Sequence, residues 1–149
     1  MRMYKRKARV VFVDTGIPCC AQMAQGFANR LGQDWIEAKS AGLEANGGNP
    51  HAVAVMAEEG VDITTQASRV IDTELLAWAD LLVTVCGQMD ENFPTLPGHV
   101  KKKCWSLLDP AVVTGSQEEV RQAFRVARDE IKCKVVSMVN GMKMLAKSD

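Results

Sequence analysis

Val10, Val11, Phe12 and Val13 form a β-branched and aromatic run that is cut off at once by a turn holding Gly16 and Pro18, with a helical repeat directly behind it. A run with no polar position suits a strand covered on both faces, the environment of a parallel sheet. The repeat behind the turn places Cys20, Ala24, Phe27, Ala28 and Leu31 on one helical face, and Gly32 is expected as the C-terminal cap.

The pattern then alternates. Trp35 to Ala38 reads as a second strand, ended by Ser40, Ala41 and Gly42. Asn49 followed by Pro50 is a helix start, with Val53, Met56 and Ala57 on one face and Gly60 at the exit. Asp72 caps a short helix carrying Leu75, Leu76 and Trp78, and Leu81 to Val85 is the clearest buried strand, with Cys86 and Gly87 at its end. Pro94, Pro97 and Gly98 predict a surface loop before a last strand around Cys104 to Leu107. Ser116 and Glu119 make a capping box for a long final helix whose apolar face runs from Val120 through Phe124, Ile131 and Val135 to Met142.

Strands alternating with helices predict the α/β class: a three-layer domain with a four-stranded parallel sheet and helices on both faces. At 149 residues, with 47% apolar and 24% charged, residues 1–149 are expected to form a single domain. Eighteen basic residues cancel eighteen acidic ones, so no general attraction to nucleic acid or to an anionic membrane is expected, and anion selectivity must be local. The basic residues between Arg2 and Arg9 read as a solvated leader, and Lys101, Lys102 and Lys103 as solvated charge. The apolar run after Arg9 is too short for a signal-peptide core. Five cysteines, an odd number, then fit free thiols in the cytoplasm better than a disulfide framework.

In sheets of this kind ligands bind beyond the C-terminal strand ends, where the loop Asp14, Thr15, Gly16, Ile17, Pro18, Cys19 and Cys20 falls, together with Cys86 and Asp109. A strand, a glycine turn and an immediate helix surround one point with backbone N–H groups, with the positive end of the helix dipole behind them. The loop is an anion cradle by construction.

The segment VFVDTGIPCCAQMAQGF, Val11 to Phe27, resembles the phosphate loop of the thioredoxin-coupled arsenate reductases, relatives of the low-molecular-weight tyrosine phosphatases. The likeness continues through Ser40 to Leu43, Asn49 to Ile63, Ala79 to Gly87, Asp109-Pro110-Ala111 and Phe124 to Ile131. Alanine rather than tyrosine after Asp109-Pro110 is similar to the reductase branch. The resemblance implies a flavodoxin-like winding of the tyrosine phosphatase kind. It also implies a nucleophilic cysteine, five residues and then an arginine, with Asp109 as general acid.

Both ends of that signature differ here. Asp14 stands at the nucleophile's place, Cys20 at the arginine's and Ala21 at the following serine's, and no cysteine in the chain has arginine six positions later. A carboxylate is a poor nucleophile toward arsenate, and a thiol cannot clamp two oxyanion oxygens as a guanidinium does. Asp14 adds negative charge where a dianion would sit, and its carboxylate is expected to take hydrogen bonds from the loop amides and partly fill the anion position. The resemblance also aligns a reductase-branch potassium site with Gln25, Ser40 and Arg69. Losing two acids there should abolish it, leaving Arg69 to replace the cation or pair with Asp14. Of three relay cysteines, Cys86 remains, while Phe93 stands at the third.

The expected function is an arsenate-reductase-like binding or regulatory module without standard phosphatase or reductase activity, with no cofactor and an unidentified protein partner. The alternative is a thiol oxidoreductase using Cys19 or Cys20 with Cys86 and Asp109, coupled to a thioredoxin-like protein. A third idea has arsenite or another soft cation held by these three thiols. Read without a ligand, they are small buried apolar groups, and Cys104 and Cys133 are expected to be structural. His51 and His99 keep no zinc-ligand spacing, so no metal site is assigned. Asp14-Thr15-Gly16 spells the aspartic-protease tripeptide, but the helical periodicities argue against a mostly β fold.

Overall fold

The computed structural model describes residues 7–14, 19–42, 49–66, 69–86, 96–107, 110 and 113–148; the side chains of Cys86, Ser106 and residues 145–148 are outside it. In chain order the elements are β1 (Ala8–Asp14), α1 (Cys20–Leu31), β2 (Ile36–Gly42), α2 (Pro50–Glu58), α3 (Thr73–Trp78), β3 (Leu81–Cys86), β4 (Lys101–Leu107) and α4 (Gln117–Ser148). All strand pairs are parallel and the order is β2-β1-β3-β4, which is flavodoxin-like winding.

β1 lies inside the sheet, and its side chains divide between two cores. Val10 and Phe12 face a large cluster with Met23 and Phe27 of α1, Val55 and Met56 of α2, and Ile131 and Val135 of α4. Val11 and Val13 face a smaller one with Leu75 and Leu76 of α3. Alternation along one unbroken apolar run thus fastens helices to both faces of the sheet. Phe12 also meets Trp105 of β4, ring centroids 5.5 Å apart, across the intervening strand β3.

The polar caps legible in the sequence hold the helices. Asn49 Oδ1 accepts the amide of His51 at 2.9 Å, and Asp72 Oδ1 that of Leu75 at 2.7 Å. Ser116 Oγ accepts from Glu119 N, and Glu119 Oε1 from Ser116 N, closing the box that starts α4.

Two strands run further than expected. β2 continues through Ser40, Ala41 and Gly42, because these small residues are buried and Gly42 is bridged to Val70 beyond the strand end. β4 begins at Lys101 rather than Cys104; as an edge strand it needs no apolar run, and its lysines stay exposed. Gly32 does end α1, but at φ −116° and so outside the left-handed region. Packing is what requires a glycine: a Cβ would lie 2.8 Å from Val139 Cγ2 and 3.0 Å from the Ala28 carbonyl oxygen.

Candidate functional site

β1 delivers Asp14 to the C-terminal end of the sheet, in register with Gly42 of β2 and, past an irregularity between Val13 and Asp14, with Cys86 of β3. There Asp14 is 4% exposed, and its Oδ2 accepts the amide of Cys19 at 2.8 Å and that of Ala21 at 2.9 Å. α1 has no side-chain cap at Cys19 and no acid in its first turn. The first amides of a helix lack partners within it and form the positive end of its dipole. Asp14, from the preceding strand, supplies both the acceptor and the negative charge.

Cys19 and Cys20 are 2% and 0% exposed and lie in the apolar cluster with Met23 and Phe27. The backbone of Cys86 ends β3 beside Asp14. Thr15, Gly16, Ile17, Pro18, Phe93 and Asp109 lie outside the described residues. Cys104 and Cys133 are exposed, which corrects the expectation that both are structural. Both border the open space between the edge strand β4 and α4, so burial, the usual fate of free cysteine, does not apply.

Of the three positions of the expected former cation site, Gln25 and Ser40 are joined directly. Ser40 Oγ donates to Gln25 Oε1 at 2.5 Å across α1 and β2. Arg69 pairs with Asp72 rather than with Asp14: its guanidinium is 3.3 Å from Asp72 Oδ2, and both side chains are over a third exposed. Asp72, three residues on, is the nearer carboxylate. The amide of Leu75 holds the Asp72 carboxyl below its ordinary range, and Arg69 adds to this.

The sequence reading did not single out Gln22. It is 2% exposed on α1, with its backbone oxygen accepting Gln66 Nε2 at 2.9 Å and its own Oε1 buried with no hydrogen bond among the described residues. The available signal was an amide one helical turn before Gln25 on the buried side of the helix. Among the described residues no three His, Cys, Asp or Glu side chains gather as a cation site, and no helix is long and apolar enough to cross a membrane.

The family profile described as low molecular weight phosphotyrosine protein phosphatase matches residues 9–148. The chain belongs to this family. Within it, the arsenate reductase of Bacillus subtilis (strain 168) is 46% identical over 123 residues, covering 82% of this chain and 88% of that one. A solved arsenate reductase in the phosphate binding state superposes with a TM-score of 0.73 at 32% identity, covering 91% of this chain and 98% of that one. A thioredoxin-dependent arsenate reductase of Corynebacterium glutamicum shares the fold at a TM-score of 0.71 and 16% identity, covering 95% of this chain and 65% of that one. By its relatives the chain is arsenate-reductase-like, and its four-stranded parallel sheet is the sheet of the low molecular weight phosphatases.

Proposed function

We propose that this arsenate-reductase-like chain does not perform the Cys–Arg chemistry of its family and acts in the cytoplasm as a binding or regulatory module for a protein partner. One observation carries the reading: the amides of Cys19 and Ala21, at the corner where an oxyanion would be held, are taken by the chain's own Asp14 carboxylate. A tetrahedral dianion entering there would have to displace a buried carboxylate and bear its charge. No guanidinium stands at position 20 to offset that repulsion.

The test is turnover of arsenate with thioredoxin and thioredoxin reductase, alongside hydrolysis of p-nitrophenyl phosphate. The expected result is no rate above the enzyme-free background for the wild type or for Asp14→Cys alone. Activity is expected to need Asp14→Cys and Cys20→Arg together, because nucleophile and clamp act as a unit.

A second reading keeps a thiol oxidoreductase in which Cys19 or Cys20 works with Cys86, Asp109 is the general acid and a thioredoxin-like protein regenerates the thiols. The relatives' names favour it, as does the ladder register that sets the Cys86 backbone beside Asp14. Thioredoxin-dependent arsenate reduction by the wild type, abolished by Cys86→Ser, would establish it and overturn the first.

A further inference from the structure

The outer side of β4 has no strand partner among the described residues, and α4 runs past it. Between them lies a groove of about 900 Å³ whose walls include Lys103 and Trp105 of β4 and Lys134, Met138, Met142 and Met144 of α4. Trp105 and Leu107 belong to the core under α4, so alternation places Lys103 on that same face, pointing toward the groove. Met144 is 71% exposed, a large apolar side chain left in water at the groove's end.

We infer that this groove and the open edge of β4 form a docking site for an extended, acidic segment of a partner protein, added to the sheet as a fifth strand. Charge selects the occupant. Among the described residues no acid lines the groove, and Lys101, Lys102, Lys103 and Lys134 make no ion pair, whereas Arg69, Arg125, Arg128 and Lys132 all do. The chain as a whole is neutral, so this is a local excess of positive charge. A second copy is disfavoured, because its own Lys101 to Lys103 would face the same lysines across the new ladder.

Nucleic acid is disfavoured too, since Trp105 is only 7% exposed and offers no face for stacking. Edge lysines alone serve to keep an edge unpaired. A groove walled by three methionines goes beyond that need, and flexible thioethers suit apolar side chains alternating along an added strand.

The test uses the full chain and a fluorescein-labelled ten-residue peptide of alternating Glu and Leu, read by anisotropy at low salt. Saturable binding is expected, weakened about tenfold by the double substitution Lys103→Glu and Lys134→Glu and by raised salt. A Lys-Leu peptide is expected not to bind, nor is a Glu-Leu peptide N-methylated at alternate residues, which has lost the amides needed for the ladder. Both substituted positions are at the surface, and circular dichroism confirms that the variant is folded. Equal binding of the acidic and basic peptides, indifference to the double substitution or to N-methylation, or saturable binding of an oligonucleotide or phosphatidylserine vesicles without peptide binding would each overturn the inference.

Discussion

Asp14 caps a helix that begins six residues after it: its Oδ2 lies 2.9 Å from the amide nitrogen of Ala21, the second residue of α1. The same oxygen takes the amide of Cys19. A carboxylate in this position has a structural task whether or not the loop ever meets a ligand, and the two roles separate when the carboxylate is removed.

Asp14→Ala leaves two amides without an acceptor at a buried corner, at a cost of about 2–4 kcal/mol in unfolding free energy. Sulfate at a few millimolar should raise the melting temperature of this variant and leave the wild type nearly unchanged, because a free anion then replaces the missing carboxylate. Differential scanning fluorimetry of both proteins with and without sulfate checks this. An equal response of the two would mean that Asp14 does not occupy the anion position.

Thiol reactivity should sort by burial. Cys104 and Cys133 are exposed, while Cys19 and Cys20 are enclosed by the core. A short treatment with iodoacetamide, followed by peptide mass spectrometry, should label Cys104 and Cys133 first. Rapid labelling of Cys19 or Cys20 would show a loop open enough for thiol chemistry and so favour the oxidoreductase reading.

Acid should weaken the contact between α2 and α4. Arg125 holds the Glu58 carboxyl below its ordinary value of 4.5, and Arg128 adds to this against the opposing effect of desolvation. Arg128 donates to Glu58 Oε1 at 2.7 Å and to the Val55 carbonyl at 3.0 Å. A carboxyl whose value is depressed on folding contributes fully above its unfolded value, and the contribution is lost as pH falls through the folded one. The melting temperature should therefore begin to drop below pH 4.5, and Glu58→Gln should lower it at neutral pH and make the acid limb shallower. Calorimetry between pH 7 and pH 2.5 gives both slopes.

Gly32→Ala should destabilise by about 1–3 kcal/mol, the range for overpacking a filled core. The new Cβ meets Val139 Cγ2, a β-branched group with little freedom to turn away, and the backbone oxygen of Ala28. Urea unfolding should show a lower midpoint with an unchanged slope.

What was legible in the sequence follows from how local each signal is. Asn49, Asp72 and Ser116 announce their helices because a cap acts within three residues of itself. The central strands β1 and β3 announce themselves because burial on both faces leaves no polar position to confuse the pattern. β4 was half hidden, since an edge strand can carry Lys101, Lys102 and Lys103 and still pair on its inner side. The carboxylate at position 14 was readable as an acceptor for the loop amides, because a strand, a glycine turn and an immediate helix gather backbone N–H groups around one point and the chain sets an acid at its base. The partner of Arg69 was not readable: the choice between Asp14 and Asp72 depends on which way an exposed side chain turns, and no spacing rule encodes that. The exposure of Cys104 and Cys133 was hidden for a similar reason, being set by which strand ends up at the border of the sheet and by how α4 lies beside it.

Tethering changes the competition at the β1–α1 corner. An anion from the medium must find the amides by diffusion, whereas Asp14 is held beside them by the strand at an effective concentration on the order of millimolar or above. The corner of the proposed module is therefore saturated from the moment the chain folds, and its shape should not track the phosphate content of the cell.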